Sequence, residues 1–490
     1  MIPFNQPLKT LQPWVELLPQ GLFDLEIKNI SFDSREVKTG DLFVALPSVA
    51  GNELQYVQVA IDNGASVVLA EKSICEQVLS DGASCVAVHN IMDVAGSILA
   101  FVLNGQALDL SVVGITGTNG KSSISFYLAQ LLNALHKPCA VMGTVGYGKW
   151  DDLKPSGMTT LPLEKLHCVL NELSVDFSAV AMEVSSHGLE QNRLAGVKFE
   201  GAVFSNLSRD HLDYHGTMEA YGAAKALLFQ RAELKFAVMN GDDPFTQTLK
   251  ALSVVTPLIY GQGNEADLRF SLDQMHDAGM TVTFHWKGQS HSVNLPLFGQ
   301  FNAENVAAAM LCCLQMGHAF SSVVQACAAL NAVPGRMQQV KVSEKQPLVL
   351  VDYAHTPDAL EQILLATKQH ASGKITLVVG CGGDRDAGKR PLMGKIALQF
   401  ADNAIITSDN PRSENPLSIC QQMVDGMQGN FVIEVDRQKA IQQAITQANP
   451  TDIVIIAGKG HEDYQEIQGQ RRYFSDVVEA EQALLLGDHS

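Results

Sequence analysis

Short apolar runs alternate with helix-like spacing of apolar residues along most of this 490-residue chain. The clearest example starts with the run Leu110–Val113, which indicates a buried strand. It continues with Ile124, Leu128 and Leu131, whose spacing indicates an amphipathic helix. Strands that alternate with helices are typical of mostly parallel sheets with helices on their faces. The pattern therefore predicts an α/β protein.

The same rhythm divides the chain into three segments, each of which predicts its own domain. Residues 1–89 predict a small N-terminal α/β domain, with strand-like stretches at 30–35, 40–46 and 67–70. Residues 90–336 predict a central α/β domain. Its strands are expected near 110–115, 177–182, 201–204 and 236–239, with an antiparallel appendage near 280–286.

Residues 337–490 predict a C-terminal Rossmann-like α/β domain, because five apolar runs alternate there with helical patterns. These runs are 348–351, 375–379, 404–406, 431–433 and 453–456.

The loop between the first central strand and its helix has the composition of a phosphate-binding loop. Its glycines can take positive φ and approach phosphate oxygens, Lys121 can bridge the β- and γ-phosphates, and Ser122 or Ser123 can meet a magnesium ion. Ile115 stands where the usual P-loop pattern has a glycine. The central domain is nevertheless predicted to be a P-loop-type ATPase domain. The residues predicted to contact ATP in this loop are Gly114, Thr116, Gly117, Thr118, Asn119, Gly120, Lys121, Ser122 and Ser123.

Two further polar clusters follow central strands, at residues 183–188 and 205–213. The carboxyl ends of parallel strands meet at one edge of a sheet, so we expect these clusters beside the phosphate loop. Glu183 and His211 are then candidates to ligate or orient magnesium next to the triphosphate. Each residue alone would more often be structural, and only their convergence favours a catalytic role.

Three charged loops follow strands of the C-terminal segment, at 381–390, 408–412 and 458–463. Arginines suit carboxylates and acidic side chains suit an ammonium group, so we expect a ligand with both charges, such as an amino acid. Taken alone, Asp409–Arg412 would rather be interpreted as a surface proline turn, and its coincidence with the other two loops reverses that preference. Separate sites for a triphosphate and an amino acid indicate a reaction that joins an ATP-activated group to an amine.

Composition narrows the class of function. A formal net charge of −18 argues against nucleic acid or an anionic membrane as the main partner. The nine cysteines show neither metal-ligand spacing nor a disulfide framework, and we expect them to be reduced. We find no secretory signal pattern and no apolar stretch long enough for a membrane span. These features predict a cytoplasmic enzyme that acts on small molecules.

Five motifs stand out together: Thr116–Ser122, Met182–His187, Asn206–Gly216, Val351–Asp358 and Asp409–Arg412. Through them the chain closely resembles, over nearly its full length, the ATP-dependent Mur ligases of peptidoglycan synthesis. The resemblance implies that the N-terminal domain binds the UDP end of UDP-N-acetylmuramoyl-L-alanyl-D-glutamate, the central domain ATP, and the C-terminal domain the incoming amino acid. It also implies magnesium as cofactor, an acyl-phosphate intermediate and a monomeric enzyme.

The resemblance implies roles for individual residues. The catalytic set is Lys121, Glu183, His211 and Lys225, and the magnesium set is Ser122, Glu183, His211 and a carbamylated Lys225. Phe32 and Ser34 are expected to contact uridine. The residues expected to hold the muramoyl-dipeptide are Thr159, Thr160, Ser185, Gln191 and Arg193; those on the nucleotide side are Asn305, Arg336, Asp352 and His355. From its sequence context alone, Lys225 would be a solvated helix lysine.

The Asp409–Arg412 motif resembles the version that selects meso-diaminopimelate over L-lysine. Diaminopimelate carries a distal carboxylate that lysine lacks, and Arg390 and Arg412 offer guanidinium groups to pair with it. Gly458 and Glu462 are expected to receive the distal amino group. Lysine would leave the arginines without their partner. The full set implied for diaminopimelate is Arg390, Asp409, Asn410, Pro411, Arg412, Gly458 and Glu462.

Alternatives stay open at this point. L-lysine as substrate, or a folylpolyglutamate synthetase-like ligase, would share the phosphate loop and the chemistry. A P-loop switch ATPase would not need the charged C-terminal loops, and an inert paralogue would not need the catalytic set. The chain lacks the His-x-x-Asp-Gly stretch of the family at 47–53, and has Met158 where relatives have an asparagine. No residue is an obvious general base for the amine.

Overall fold

The computed structural model describes residues 1–15, 18–48, 51–78, 84–104, 110–343 and 345–487. Its strands form three separate sheets and one two-stranded hairpin, and the sheets follow one another along the chain. Helices connect the mostly parallel strands, which confirms the α/β fold class predicted from the apolar pattern. Within these described ranges, no helix combines the length and the apolar character that a membrane span requires.

The first sheet has five strands in chain order, of which only the first pair is antiparallel. The strands are β1 (Ile2–Pro7), β2 (Glu26–Ser31), β3 (Leu42–Val44), β4 (Val67–Glu71) and β5 (Ser84–Val88). Its helices are α1 (Glu53–Asp62), α2 (Lys72–Cys75) and α3 (Ile91–Asn104).

A disulfide joins Cys75 at the end of α2 to Cys85 in β5. The expectation that all nine cysteines are reduced is therefore wrong for this pair. The two Cα atoms lie 5.5 Å apart, which is within the range that a disulfide can bridge. The remaining seven cysteines are free.

The second sheet has eleven strands in the order β16-β15-β14-β13-β12-β11-β6-β10-β7-β8-β9. The strands are β6 (Ser111–Thr116), β7 (Cys139–Met142), β8 (Tyr147–Lys149), β9 (Asp152–Lys154), β10 (Ala179–Glu183), β11 (Phe199–Phe204), β12 (Phe236–Asn240), β13 (Leu258–Gly261), β14 (Leu268–His276), β15 (Gly279–Trp286) and β16 (Gln289–Leu295). Its four predicted strands are confirmed. The predicted antiparallel appendage is present as β14–β16, but it extends the same sheet.

Helices cover both faces of this sheet. They are α4 (Lys121–Ala134), α5 (Leu163–Leu173), α6 (Ser186–Glu190), α7 (Leu212–His215), α8 (Met218–Ala226), α9 (Thr246–Leu252), α10 (Gln300–Gln315) and α11 (Phe320–Cys327). Two buried apolar clusters lie on the sheet: one includes α4, α10 and α11, and the other includes α5. Burial on both faces explains why the central strands are continuous apolar runs rather than alternating patterns.

The third sheet has six strands in the order β17-β18-β22-β19-β20-β21, with only β17 antiparallel. The strands are β17 (Gln338–Val340), β18 (Leu348–Asp352), β19 (Ile375–Val379), β20 (Asn403–Ile406), β21 (Phe431–Ile433) and β22 (Ile453–Ala457), and the hairpin is β23 (Tyr464–Ile467) and β24 (Gln470–Tyr473). The helices are α12 (Pro357–Lys368), α13 (Lys389–Phe400), α14 (Pro416–Val424), α15 (Arg437–Gln447) and α16 (Asp476–Gly487). All five predicted strands are confirmed.

We propose that the domains follow the sheets, with boundaries near 89/90 and 336/337. Helix α3 complicates the first boundary, because its apolar residues Ile91, Ala95 and Ile98 belong to the core of the first sheet. The same core takes in Leu163 of α5. Helix α3 therefore packs between the first and second sheets rather than belonging to one alone.

A buried ion pair joins the last two helices. Arg437 and Asp476 have fully buried side chains, and the guanidinium donates to both carboxylate oxygens at 2.7 Å. Arg437 also donates to the Ala457 carbonyl at the end of β22, at 3.0 Å. Because a buried charge without a partner is costly, this pair fixes α15 and α16 to the strand edge that carries the charged loops.

Replacing Asp476 by Asn is expected to lower the free energy of unfolding by about 3 kcal/mol, since it leaves the Arg437 charge buried and uncompensated. The change would be measured by urea unfolding. The matched control is Glu479→Gln on the same helix, whose exposed carboxylate accepts from Gln438 and whose loss should cost less than about 0.5 kcal/mol. Equal effects of the two substitutions would contradict this reading.

Candidate active site

The phosphate loop follows β6 and closes against two neighbouring elements. Gly117 and Gly120 have φ values of 145° and 86°. A Cβ at residue 117 would collide with the Ser205 hydroxyl, and one at residue 120 would lie 2.6 Å from the side-chain oxygen of Asn305. Glycine is thus required at both positions, by backbone conformation and by close approach.

The lysine of the loop is held by the loop itself. Lys121 Nζ donates to the carbonyls of Gly117 and Thr118, both at 2.9 Å. Burial lowers the pKa of Lys121, while the nearby carboxylates of Glu183 and Asp210 act in the opposite direction. The loop is therefore held in a curled conformation with its cation at the N-terminus of α4, where a phosphate would find both the ammonium group and the helix dipole.

Glu183 connects the phosphate loop to the next strand. Its Oε1 accepts from the Ser122 hydroxyl at 2.8 Å and from the Thr144 N–H at 3.0 Å, and its Oε2 accepts from the Thr144 hydroxyl at 3.1 Å. The carboxylate is almost fully buried. The Thr144 hydroxyl also lies 2.9 Å from that of Thr159. A chain of polar contacts thus runs from the phosphate loop to Thr159, a residue expected on the side of the acceptor substrate.

The other residues expected around the muramoyl-dipeptide lie together. Thr160 Oγ1 accepts from the Ser185 N–H at 3.0 Å, and the Arg193 guanidinium donates to the Thr160 carbonyl at 3.0 Å. Gln191 accepts from Arg193 Nε at 2.9 Å and donates to the Tyr214 hydroxyl at 3.0 Å. The structure therefore brings all five predicted acceptor-side residues to one edge of the sheet.

Met158 is the position at which the sequence departs from the expected family pattern on the acceptor side. It is 41% exposed, and its sulfur lies 3.7 Å from Arg193 Nη1. The thioether thus contacts the cation of the acceptor side and offers no amide there.

Lys225 is buried, which corrects the expectation from sequence context of a solvated helix lysine. Its Nζ donates to the Gly117 carbonyl at 2.9 Å and lies 4.2 Å from the centre of the Tyr221 ring. Burial lowers its pKa well below the usual value, and the nearby Lys121 lowers it further. Lys225 therefore lies against the phosphate loop, on the buried side of α8.

The predicted metal residues meet the requirements of magnesium only in part. Ser122 and Glu183 present adjacent oxygen donors, which magnesium prefers, whereas Lys225 as an amine or ammonium group offers no suitable ligand. His211 is half-exposed, with Nε2 3.4 Å from Asp210 Oδ2. Across the described residues, no three His, Cys, Asp or Glu side chains come together as a metal site.

The nucleotide-side residues lie where the second and third sheets meet. The Arg336 guanidinium stacks over the Tyr353 ring at 4.7 Å, and His355 Nδ1 lies 2.8 Å from the Tyr353 carbonyl. Asp352, at the end of β18, accepts from the Met337 N–H at 2.7 Å. Burial raises the pKa of Asp352, and the Arg336 charge opposes that rise. These contacts therefore hold the segment that connects the second and third sheets against the end of β18.

The expected uridine residues line a separate cleft of about 640 Å³. Phe32 and Ser34 lie on it together with Tyr56, and Glu164 of α5 closes one side. The divergent stretch 47–53 also borders this cleft through Pro47 and Glu53, although residues 49–50 lie outside the described part of the chain. The cleft thus spans the first sheet and the adjoining helix of the central unit.

The Arg390 guanidinium group already has a carboxylate partner, and its expected contact with diaminopimelate stays a prediction. Its side chain is almost fully buried and donates to both carboxylate oxygens of Glu414, at 2.7 and 2.8 Å, and to Gln422 at 2.6 Å. Glu414 in turn accepts from the Asp384 N–H at 2.6 Å. Because Glu414 compensates its charge, Arg390 joins the loops of the C-terminal domain rather than offering an open fork for a carboxylate.

Arg412 is held differently. Its Nη1 donates to the Gly383 carbonyl at 2.7 Å, and its backbone N–H donates to the Glu466 carbonyl at 3.0 Å. The preceding residue, Pro411, lies so close to Gly383 that a Cβ on residue 383 would collide with the Pro411 carbonyl. The Arg412 side chain therefore has a neutral acceptor and stays available to an anion.

Asn410 and Glu462 are in direct contact. Asn410 Nδ2 donates to Glu462 Oε2 at 2.9 Å, and Asn410 Oδ1 accepts from the Glu466 N–H at 2.9 Å. Gly458 has a φ of 117°, and a Cβ there would lie 2.6 Å from Asp409 Oδ2. The three charged loops predicted at one sheet edge thus meet, as the strand order β18-β22-β19-β20 requires.

Sequence reasoning missed three residues of these sites: Thr144, Glu414 and Lys459. Thr144 comes directly after β7, so its position at a strand end was a usable signal. Glu414 lies 24 residues from Arg390 along the chain, and no spacing rule connects them. Lys459 lies inside a loop that was recognised only for its flanking residues.

Comparison with known proteins gives consistent matches. The family model described as the Mur ligase middle domain matches residues 115–313, and that of the Mur ligase, glutamate ligase domain, matches residues 335–460. A UDP-N-acetylmuramoyl-L-alanyl-D-glutamate–2,6-diaminopimelate ligase of Chromobacterium violaceum is 42% identical, covering 97% of this chain and 98% of that protein.

Solved structures agree. One of a ligase with the same name is 39% identical, with a TM-score of 0.77, and covers 98% of this chain and 99% of its own. A folylpolyglutamate synthase from Thermotoga maritima is 14% identical with a TM-score of 0.59, covering 74% of this chain and 89% of its own. The second likeness reflects the fold alone.

Thr144→Val is expected to weaken nucleotide binding about fivefold, because Glu183 loses the hydroxyl donor that orients it toward Ser122. Calorimetric titration with ATP and magnesium would measure the change. Thr144→Ser keeps the hydroxyl and should bind nearly as the unmodified protein does. Thr281→Val, which removes an exposed hydroxyl from β15, is the control. Unchanged affinity in Thr144→Val would refute the orienting role.

Proposed function

The chain belongs to the Mur ligase family, and from this premise we propose that it uses ATP to join meso-2,6-diaminopimelate to the D-glutamyl residue of UDP-N-acetylmuramoyl-L-alanyl-D-glutamate. The observation that carries the proposal is similarity at 42% identity, over nearly both full lengths, to a ligase named for this pair of substrates. The geometry supports it, because a phosphate loop and a charged amino-acid-like site lie on separate sheets of one chain.

The proposed substrate positions follow the three sheets. Phe32 and Ser34 bind the uridine end, and the cluster around Thr160 and Arg193 binds the muramoyl-dipeptide. ATP lies on the loop that contains Lys121. In this arrangement the acceptor carboxylate and the γ-phosphate approach each other beside Glu183. We also propose that the enzyme works as a monomer in the cytoplasm.

The proposed reaction begins when the acceptor γ-carboxylate attacks the γ-phosphorus of ATP. ADP leaves and an acyl phosphate forms, with Lys121 stabilising the negative charge on the phosphoryl oxygens. The amine of diaminopimelate then attacks the acyl carbon, and the tetrahedral intermediate collapses to an amide and inorganic phosphate. Water must be excluded while the acyl phosphate exists, since it would otherwise hydrolyse.

Magnesium is proposed as the cofactor, with Ser122 and Glu183 as its oxygen ligands and His211 nearby. When bound, it would neutralise charge on the transferring phosphoryl group. Lys225 can join this set only as a carbamate, formed when its neutral amine adds to carbon dioxide and releases a proton. The lowered pKa of the buried Lys225 favours the neutral amine that this addition needs.

Amino-acid selection is proposed to depend chiefly on Arg412 and Glu462. Arg412 can exchange the Gly383 carbonyl for the distal carboxylate of diaminopimelate, which is a stronger acceptor. Asp409, Asn410, Pro411 and Gly458 shape the same pocket, and Arg390 acts on it through Glu414. L-lysine lacks the distal carboxylate and would leave Arg412 with its weaker acceptor.

The ligase reaction predicts that phosphate release from ATP requires both the UDP-linked dipeptide and an amino acid. Purified protein would be assayed with magnesium and ATP, adding meso-diaminopimelate, L-lysine or no amino acid. Release should be fastest with diaminopimelate. Release that ignores the amino acid would remove the ligase proposal, whereas faster release with L-lysine would overturn only the choice of substrate.

Arg412→Ala is expected to raise the KM for diaminopimelate by about tenfold or more, because a charge-assisted contact with the distal carboxylate is lost. The KM for ATP should stay within about twofold of the original value, since Arg412 lies in the third sheet's site. Arg269→Ala, which removes a half-buried arginine of β14 in the second sheet, is the matched control. Parallel increases in both KM values would show that Arg412 has no selective role.

A further inference from the structure

A lysine lies fully buried among the charged loops of the amino-acid site. Lys459 Nζ lies 3.2 Å from Glu462 Oε2 and 3.3 Å from Asn410 Oδ1, and its side chain has no exposed surface. The Tyr464 ring lies 5.4 Å from the same ammonium group. Burying an ammonium group is costly unless it is paired and hydrogen-bonded, so these contacts hold Lys459 at the base of the pocket.

Glu462 uses one oxygen for both of its neighbours. Its Oε2 accepts from Lys459 and also from Asn410 Nδ2, at 2.9 Å. Among the contacts between described residues, Oε1 receives no donor. The carboxylate is therefore fixed at one oxygen and free at the other, which is the arrangement that a carboxylate needs to receive an ammonium group from a ligand.

Lys459 offsets the charge of the carboxylate that it contacts. Among the described residues, it is the one cation within ion-pair distance of Glu462, at 3.2 Å. The neighbouring Arg390 is paired with Glu414, and Arg437 is paired with Asp476. Without Lys459 the Glu462 carboxylate would have no cation in contact with it. The lysine therefore weakens the attraction that the free oxygen of Glu462 exerts on an ammonium group.

We propose that Lys459 is a specificity-determining residue, which disfavours amino acids whose distal end carries an ammonium group alone. The inference rests on the proposed function, because it concerns which amino acid that site accepts. The distal end of diaminopimelate carries an ammonium and a carboxylate and is neutral overall, whereas that of L-lysine carries +1. A Glu462 carboxylate already paired with Lys459 attracts a lone ammonium group less than an unpaired carboxylate would, whereas diaminopimelate also gains the contact of its distal carboxylate with Arg412.

Lys459 and Arg412 thus divide the selection between them. Arg412 attracts the distal carboxylate of the correct substrate, while Lys459 offsets the Glu462 charge that would otherwise attract any cation. Specificity is a difference between two affinities, so a group that weakens binding of the competitor contributes as much as one that strengthens binding of the substrate. Lys459 acts by offsetting the charge of Glu462, and it does not contact the reacting atoms.

The test compares kcat/KM for meso-diaminopimelate and L-lysine, at saturating ATP and UDP-linked dipeptide, in Lys459→Met, Lys459→Gln and Lys459→Arg. The Met and Gln variants should lower the ratio of diaminopimelate to L-lysine by about tenfold, with the value for L-lysine unchanged or raised. The Arg variant keeps the charge and should keep the ratio. Lys439→Met, an exposed lysine on α15, is the control and should change neither value.

A purely structural lysine would give a different result. Both kcat/KM values would then fall together with the ratio unchanged, and that outcome would overturn the proposal. Failure of both the Met and the Gln variants to fold would overturn it as well, by giving Lys459 a structural role. The unmodified enzyme's own preference decides the proposed function separately: if it favours L-lysine, the substrate assignment fails, and the change of ratio in the variants still decides the role of Lys459.

Discussion

The burial of the Glu183 carboxylate is the constraint on which the central site depends. Taking a carboxylate out of water costs several kcal/mol unless its oxygens are satisfied, and here Ser122 and Thr144 satisfy both. Ser122 lies in the first turn of α4, which follows β6, and Thr144 follows β7, while β10 lies between β6 and β7 in the sheet. Gly143 is part of the same constraint, since a Cβ there would collide with the carboxylate. The hydrogen bonds of the single Glu183 carboxylate therefore fix the position of the phosphate loop relative to the acceptor side.

Charge compensation plays the corresponding part in the C-terminal domain. Three buried cations each have a carboxylate partner: Arg390 with Glu414, Arg437 with Asp476 and Lys459 with Glu462. Arg412 instead donates to a backbone carbonyl. A guanidinium group that is already paired with a carboxylate gains little from a second one, whereas one on a neutral carbonyl gains a charge-assisted contact. The existing hydrogen-bond partner of each cationic side chain, more than the number of arginines, therefore decides which of them can bind a carboxylate of the ligand.

The sequence predicted the strands and the meeting of polar loops, because both follow from short-range patterns and from the geometry of parallel sheets. It did not predict the state of individual side chains. Lys225 sits in a helix pattern that looks solvated, and its burial depends on the packing of α8 against the Gly117 carbonyl. Arg390 looked available because its partner is remote in sequence. The pairing of Cys75 with Cys85 likewise depends on how α2 and β5 pack.

The junction between the second and third sheets relates the two sites to each other. A Cβ at Gly335 would collide with the backbone of residues 460 and 461, so the connection lies directly on the loop that contains Lys459. The next residue, Arg336, stacks on Tyr353 of the third unit, and its charge is also felt by Lys121 in the phosphate loop. Nucleotide at Lys121 and amino acid beside Lys459 would therefore meet the same few junction residues from opposite sides.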